Sequence, residues 1–426
     1  METAPLHPDD KIPQMLWALL SSFIGAALTT LLVIAATRRQ RKWPRLADLA
    51  DLSAPQNVHE HAASRLGGIG IACGILAGLA TLHGLGTLSA DVIWLMAVCT
   101  LPTLAAGLAE DITESVGPRI RLLAAAASGI LGAWLLGALL THTGWTWFDA
   151  GLLIPGVGWL LTTFTVAGVV NSFNIIDGMN GLASMFAMLA MATLAYIASQ
   201  VGDTLVAGLA LATLGASLGF FAWNYPRGLI FLGDGGAYLL GFSAVELGFV
   251  LLRRHHEISA LAPLVVIAYP VMETVFSMYR RRVLRGQPVS QPDRIHLHSL
   301  IYRRLTRSAS GCASEASRKR ANSMTSPYLW ALSALSIVPT AVWWNDTAML
   351  AAALAAFVVA YLWLYRQIVR FRTPRWMLRI ARRRRSDPVR SAGQDTPVGP
   401  VAVPGTVGRK FVEPAPSAEQ VPGSGR

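Results

Sequence analysis

The sequence predicts an all-α, polytopic membrane protein, on the evidence of its composition and of the length and number of its apolar segments. Of its 426 residues, 53% are hydrophobic and only 14% are charged, which is more apolar surface than a soluble core requires. A membrane-spanning helix needs about 20 mostly apolar residues. Eleven segments of suitable length and composition occur, at 15–36, 66–85, 92–109, 122–140, 157–176, 182–198, 205–223, 237–252, 258–278, 328–344 and 348–365.

Basic residues in the connecting loops predict the orientation, because Lys and Arg beside spanning helices are retained on the cytoplasmic side. The loop between the first two segments carries six of them, and the loop 279–327 carries eleven. Counting alternately from the first loop places both on the cytoplasmic side, with a periplasmic N-terminus and a cytoplasmic C-terminus. Arg253 and Arg254 are the exception to this pattern.

Two regions follow from these segments: a membrane domain at 1–365 and a tail at 366–426. The tail contains the basic run 382–385 and is otherwise rich in Pro, Gly and Ser, a composition that predicts disorder. We expect the basic run to lie against anionic membrane lipids. The excess of basic residues does not indicate nucleic-acid binding, because these residues flank the apolar segments instead of forming one soluble face.

The first polar cluster, Glu110 and Asp111, follows the third apolar segment. Adjacent carboxylates can divide cation binding and proton transfer between them, although a solvated helix end explains the pair equally well. A smaller feature, Arg65 followed by Gly67 and Gly68, precedes the second segment. Arg65 could supply charge to a ligand that approaches the glycine backbone, and close helix packing is the alternative explanation.

The second cluster places Asn171, Asn174 and Asp177 three residues apart, near one face of the fifth segment. Several oxygen ligands converge there, as Mg²⁺ requires when substrate phosphates complete its coordination. Amides that bond one helix to another are the structural alternative. The third cluster is Asp234 among glycines, where backbone amides could approach a phosphate while the acid holds a metal. A glycine-rich turn is the simpler reading of that segment.

The fourth cluster, Arg294, His296 and His298, lies in the long basic loop. The two histidines project to the same side if the segment is extended, and Arg294 can bind a diphosphate through two hydrogen bonds. A basic loop at the membrane surface is the alternative, and a zinc site lacks a third ligand at the usual spacing. The predicted topology puts all four clusters on the cytoplasmic side.

The ordered motifs S-R-L-G-G, E-D, N-x-x-N-x-x-D-G-x-N-G-L-A, F-L-G-D-G-G and H-L-H resemble those of the polyprenyl-phosphate N-acetylhexosamine-1-phosphate transferases, in glycosyltransferase family 4. The resemblance spans about residues 15–365. It implies a bacterial inner-membrane enzyme that transfers a sugar 1-phosphate from a UDP-N-acetylhexosamine to undecaprenyl phosphate and releases UMP. It also implies a requirement for Mg²⁺, which Mn²⁺ could replace, and an active site at the cytoplasmic face.

The resemblance implies roles for individual residues. Asp234 and Asn174 match the family's metal-binding positions, and Asp111 matches the acid that deprotonates or orients the acceptor phosphate. The other predicted catalytic residues are Asp177, which matches the acid of the N-x-x-D-G segment, and Glu110. The predicted substrate-binding residues are Asn171, Arg294, His296, His298 and Arg65.

Glu110, Asn180 and Ser299 depart from the family pattern, which commonly has Asp, Asp and His at these positions. The histidine segment favours the branch that starts O-antigen or other surface-polysaccharide assembly, with N-acetylglucosamine as the expected sugar. A lipid flippase or transporter, and a catalytically inactive scaffold for polysaccharide assembly, are the competing hypotheses. The sequence leaves a homodimer open.

Overall fold

A computed structural model describes residues 8–39, 63–288, 295–308 and 315–370. Arg294 and residues 371–426 of the predicted tail lie outside the described residues, whereas the first residues of that tail, 366–369, continue the last helix. Within them the regular structure is entirely helical, which confirms the predicted all-α class. The helices are α1 (Pro8–Arg39), α2 (Gly67–Gly84), α3 (Ala90–Thr113), α4 (Pro118–Leu131), α5 (Thr146–Leu152), α6 (Val157–Ile176), α7 (Leu182–Gln200), α8 (Thr204–Asn224), α9 (Gly233–Arg254), α10 (Leu261–Val266), α11 (Ala268–Tyr279), α12 (Leu297–Ser308), α13 (Glu315–Val342) and α14 (Thr347–Val369).

Nine of the described helices are long and apolar enough to cross a membrane, so the protein is a multi-pass membrane protein, and the predicted count of eleven is not confirmed. The predicted segment 258–278 is divided at Ile267 into α10 and α11. Pro270 lacks the N–H that would bond the carbonyl of Val266 in a continuous helix. The segment 328–344 lies in α13, whose first turns carry Arg318, Lys319 and Arg320.

Helix α9 is the buried centre of the bundle, and α2, α3 and α6 pack around it. Glycines permit the closest approaches at its first turn. A Cβ on Gly107 of α3 would lie 2.6 Å from the Cα of Gly235, and a Cβ on Gly68 of α2 would collide with the backbone of Gly236. Small residues let helix backbones approach closely in this way. The packing brings the polar ends of α2 and α3 to the start of α9.

The other end of α9 explains how the protein accommodates the basic pair at 253–254. Arg254 donates a hydrogen bond from Nε to Asp203 Oδ2 at 2.6 Å, and His255 Nε2 lies 2.9 Å from the same oxygen. The side chain of Asp203 is fully buried and also accepts a hydrogen bond from the Val206 amide. Arg254 is therefore paired with a buried carboxylate at the end of the bundle opposite Asp234.

This cluster predicts a defined pH dependence of stability. Burial by itself raises the pKa of Asp203, but hydrogen bonds from the Val206 amide, His255 and Arg254 hold that pKa below its ordinary value. A carboxylate with a lowered folded-state pKa stabilises the protein above its unfolded pKa of about 3.9. We expect Asp203→Asn to unfold at lower denaturant concentration than the wild type at pH 7. The difference should shrink as pH falls below about 4, and a difference independent of pH would contradict this assignment.

Candidate active site

Asp111, the last buried residue of α3, binds the first turn of α9 through both carboxylate oxygens. The backbone amide of Asp234 donates to Oδ1 and that of Gly235 donates to Oδ2, each at 2.8 Å. The first amides of a helix have no partner within the helix, and a carboxylate there also interacts favourably with the helix dipole. Asp111 therefore fixes the position and direction of α9 where Asp234 projects. Its predicted catalytic role stays a prediction.

Asp177 follows the last residue of α6 and accepts a hydrogen bond from the backbone amide of Gly233. Burial raises the pKa of Asp177 well above its ordinary value against the opposing charge of Arg65, and the carboxylates of Asp234 and Asp111 add to the rise. Three carboxyl groups therefore surround the start of α9. Gly233 has a φ of +73°, a backbone conformation that favours glycine.

The backbone amides around Asp234 have different hydrogen-bond partners from those that the sequence predicts. We expected these amides to approach a phosphate. In the structure, the amides of Gly233, Asp234 and Gly235 instead bond the carboxylates of Asp177 and Asp111. The glycines provide room for neighbouring helices, and the two flanking acids occupy the amides.

Arg121 of α4 lies at this site and is absent from the sequence-based predictions. Its guanidinium forms a close ion pair with Asp234 and lies 3.8 Å from Glu110 Oε1. Glu110 also accepts a hydrogen bond from the Val116 amide at 2.8 Å. Arg121 thus places positive charge beside the acid that the sequence predicts as a metal ligand.

Asn174 and Asp234 are linked through Tyr238, one turn into α9. The Asn174 side-chain amide donates to the Tyr238 hydroxyl at 3.1 Å, and that hydroxyl lies 3.4 Å from Asp234 Oδ2. In the metal-binding role that the resemblance implies, Asn174 would therefore use its amide oxygen. No group of three or more His, Cys, Asp or Glu residues suited to a metal occurs in the described ranges. Mg²⁺ is often held by one or two carboxylates together with substrate phosphates, and the donor set at this site fits that mode.

Of the predicted substrate-binding residues, Arg65 lies near the acidic cluster and Asn171 does not contact it in the described part of the chain. Arg65 pairs with Glu114 at 3.8 Å, remains substantially exposed, and acts electrostatically on Asp177. Asn171 is exposed on α6, one turn before Asn174. The structure therefore brings Arg65 to the acidic centre, while Asn171 makes no described contact with it.

His296 and His298 lie together, but at the start of a helix and not in an extended segment. Their rings stack with centroids 5.4 Å apart and planes inclined by 6°. The Nε2 atom of His298 is close to Gly178, where an added Cβ would lie 2.6 Å from it. The N-terminal end of α12 therefore packs against the loop that follows Asp177.

Glu273 of α11 holds this histidine segment and is absent from the sequence-based predictions. Its buried carboxylate accepts hydrogen bonds from the Leu297 amide at 2.6 Å and the Tyr361 hydroxyl at 3.1 Å, and lies 3.3 Å from His296 Nδ1. Arg280 donates to the carbonyl of Ile295 at 2.9 Å. Glu273 is thus a positioning residue for the two histidines.

We expect Glu273→Gln to lower activity by about 10- to 100-fold, since small displacements of site groups are costly. Glutamine keeps one acceptor oxygen, but its N–H₂ group cannot accept a hydrogen bond. One of the two buried donors, the Leu297 amide or the Tyr361 hydroxyl, would therefore lose its acceptor. Steady-state kinetics with varied concentration of the expected UDP-sugar would measure the effect. Tyr361→Phe removes a single donor to Glu273 and should cost much less. Equal losses in the two variants would contradict a positioning role for Glu273.

Asn180 has a structural environment that accounts for its departure from the family pattern. Its amide donates to Asn322 Oδ1 at 2.9 Å, its carbonyl accepts from the Ser326 hydroxyl at 2.6 Å, and its side chain donates to the Pro226 carbonyl at 3.2 Å. The indole of Trp330 also donates to the carbonyl of Gly181. These bonds attach the loop after Asp177 to α13 and to the segment that follows α8.

Sequence signals for the missed residues did exist. Glu273 and a second acid, Glu246, each stand alone inside an apolar segment, where ionisable residues are rare and tend to be functional. Both acids lie outside the four polar clusters of the sequence analysis. Arg121 carried no comparable signal, because a basic residue beside a spanning helix is already explained by the orientation of the chain in the membrane.

Comparisons with known proteins agree with this geometry. The model of glycosyl transferase family 4 matches residues 93–251, which contain Asp111, Asp177 and Asp234. One similar Bacillus subtilis protein is described as a probable undecaprenyl-phosphate N-acetylglucosaminyl 1-phosphate transferase. It is 26% identical over 285 residues, which cover 65% of this chain and 75% of the Bacillus protein.

Two enterobacterial proteins, both described as undecaprenyl-phosphate alpha-N-acetylglucosaminyl 1-phosphate transferase, are similar as well. The Escherichia coli K12 protein is 31% identical over 203 residues, 46% of this chain and 54% of its own. The Salmonella typhimurium protein is 27% identical over 289 residues, 67% of this chain and 76% of its own. The match thus spans about half the length of the E. coli relative. Residues 93–251 therefore match glycosyl transferase family 4, and the similarity to the Bacillus and Salmonella relatives covers 65% and 67% of this chain.

Proposed function

We propose that the protein transfers N-acetylglucosamine 1-phosphate from its UDP-sugar to undecaprenyl phosphate, as the first membrane step in the assembly of O-antigen or another surface polysaccharide. The observation that carries the proposal is the convergence of Asp111, Asp177 and Asp234 with Arg121 at the first turn of α9. The names of the relatives support the acceptor, undecaprenyl phosphate, and the transferred group, N-acetylglucosamine 1-phosphate.

In this reaction an oxygen of the acceptor phosphate attacks the phosphorus that carries the sugar. The bond from that phosphorus to the UMP oxygen breaks, so UMP leaves with the electron pair. Such transfers depend mainly on positioning and charge neutralisation. Arg121 and Arg65 supply positive charge, and Asp111 and Asp177 hold the start of α9 so that Asp234 faces the reacting groups.

Asp234 and the amide oxygen of Asn174 are the residues we propose for Mg²⁺, with Mn²⁺ as a substitute. When bound, the ion would neutralise diphosphate charge and activate the departure of UMP. We assign contact with the sugar or diphosphate of the UDP-sugar to His296 and His298, and their contacts with Glu273 and Gly178 support this assignment. Arg294 stays a predicted partner in that task.

The proposed site also gives a reason for its location. The acceptor is anchored in the bilayer by a long isoprenoid, whereas the nucleotide sugar is water-soluble. Chemistry between them fits the cytoplasmic face of the bacterial inner membrane, in agreement with the loop charges. Because Asp111, Asp177 and Asp234 all lie at helix ends, the three acids are suited to such an interface.

The test is release of UMP by the purified protein supplied with UDP-N-acetylglucosamine and undecaprenyl phosphate. We expect release to require both the lipid and Mg²⁺, to stop with chelator, and to resume with Mg²⁺ or Mn²⁺. Release from UDP-N-acetylgalactosamine alone would change the assigned sugar and keep the reaction. No release from any UDP-N-acetylhexosamine would overturn the proposal in favour of a scaffold.

A further inference from the structure

A stripe of exposed side chains changes from apolar to basic along the end of α11. Val275 and Tyr279 are 51% and 48% exposed, and residues four apart lie on one face of a helix. The chain then continues as a π-helical turn, Arg280–Leu284, and both Arg282 and Arg285 are exposed. An apolar helix face that ends in exposed arginines is typical of a helix that leaves a bilayer.

A contact with α14 fixes the depth of this turn. Arg280 donates a hydrogen bond from Nη1 to the Tyr365 hydroxyl at 2.6 Å, and its guanidinium lies 5.5 Å from the centre of that ring. Tyr365 is one turn before the end of α14, a helix with the length and composition of a membrane span. The π-helical turn is therefore level with the end of a spanning helix, where the hydrocarbon core gives way to lipid headgroups.

The turn presents two apolar side chains between its exposed arginines. Val283 and Leu284 are 64% and 62% exposed, although they follow Arg282 and precede Arg285. Burial of aliphatic side chains away from water is favourable. A segment that mixes them with arginines is suited to the membrane interface, where the apolar side chains lie among acyl chains and the cations among headgroups. The pattern favours the membrane surface over water as the environment of the turn.

The exposed charges at this end of the bundle have one sign. Helix α12 packs against the end of α14, and further exposed arginines are Arg303 of α12 and Arg366 and Arg370 at the end of α14. No Asp or Glu occurs in α12, in residues 274–288 or in residues 360–370. The arginines therefore have no acidic neighbour within these described segments, and the surface is suited to an anionic partner.

We propose that Arg282 and Arg285 bind the headgroup of an anionic phospholipid, with Val283 and Leu284 among its acyl chains. An arginine guanidinium matches a phosphate through two parallel hydrogen bonds. A zwitterionic phospholipid offers the same phosphate but carries a compensating cation, so the net charge of the lipid decides the preference. An acidic soluble protein would match the arginines and leave the apolar pair in water. This site is separate from the basic run 382–385, for which the sequence predicts contacts of the same kind.

The test compares two photoreactive phospholipids with identical diazirine-bearing acyl chains, phosphatidylglycerol and phosphatidylcholine. Each is added in trace amount to phosphatidylcholine nanodiscs that contain the full-length protein, and crosslinks are mapped by mass spectrometry. We expect the phosphatidylglycerol probe to label residues 275–285 at least about fivefold more than the phosphatidylcholine probe, the factor for one arginine at an anionic surface. Added salt should reduce this preference. The two probes should label the exposed Leu101 of α3 equally, because no arginine is near it in sequence.

Three variants make the result specific. Arg282→Gln combined with Arg285→Gln should lower phosphatidylglycerol labelling to the phosphatidylcholine level. Arg253→Gln changes an exposed arginine at the opposite end of the bundle and should leave the preference unchanged. Val283→Ser combined with Leu284→Ser should lower labelling by both probes, because it weakens insertion among the acyl chains. All five side chains are exposed, and size-exclusion chromatography checks that each variant is folded.

The outcomes that contradict the proposal are distinct. Equal labelling of residues 275–285 by the two probes, or a preference that survives loss of both arginines, would overturn the assignment of an anionic headgroup. Absence of labelling by either probe would place the turn in water, as an acidic protein partner requires, and would overturn the proposal as well.

Discussion

Asp234→Asn is expected to lower the rate of UMP release by at least about 10²-fold, the cost typical of removing one charge-stabilising group from an active site. The variant keeps the size of the side chain and one oxygen that can accept a hydrogen bond from the Tyr238 hydroxyl. It removes the negative charge that we propose for Mg²⁺ and that pairs with Arg121. The remaining activity should need about 10- to 100-fold more Mg²⁺ for half-saturation, which a Mg²⁺ titration of initial rates measures.

Two control variants distinguish the loss of the proposed metal ligand from the loss of the ion pair between Asp234 and Arg121. Arg121→Gln breaks the same pair but leaves the acid, so its activity should fall while its Mg²⁺ half-saturation stays near that of the wild type. Asp203→Asn removes a buried acid at the far end of the bundle and should retain wild-type turnover. The metal assignment fails if Asp234→Asn and Arg121→Gln respond to Mg²⁺ in the same way.

Asp111→Asn should lower both activity and stability, because Asp111 accepts two backbone hydrogen bonds at the start of α9. Asparagine offers one oxygen, so one buried amide of Asp234 or Gly235 loses its acceptor. The expected loss in the free energy of unfolding is about 1–3 kcal/mol, measured by chemical denaturation in detergent. A displaced first turn would also move Asp234, and a shift near 1 Å can cost about 10²-fold in rate.

The neighbouring acid supplies the comparison for stability. Glu110 accepts one backbone hydrogen bond, from Val116, so Glu110→Gln should destabilise the protein less than Asp111→Asn. If Asp111→Asn abolished activity at wild-type stability, Asp111 would act chemically and not as the support for α9. Loss of both properties supports the structural assignment.

Much of the fold followed from hydropathy alone, because a helix that satisfies its own backbone hydrogen bonds is the simplest way to cross a bilayer. The segments that became α2, α3, α6, α7, α8 and α9 were predicted within a few residues. The failures came where local chemistry competes with hydropathy. Pro270 disfavours a continuous helix in a segment whose composition predicts one, so α10 and α11 are separate. Helix α13 has a basic start and an apolar continuation.

The sequence by itself determined the membrane class and the chemical inventory of the site: the three acids, Asn174, Arg65 and the histidine pair. These residues carry charge or metal-binding oxygens wherever the chain places them, so their types and spacing were sufficient. Only the tertiary structure decided which partners they have. Asp111 and Asp234 are separated by 123 residues, and Arg121 and Asp234 by 113. Such pairings depend on how helices pack around α9, and no local periodicity encodes them.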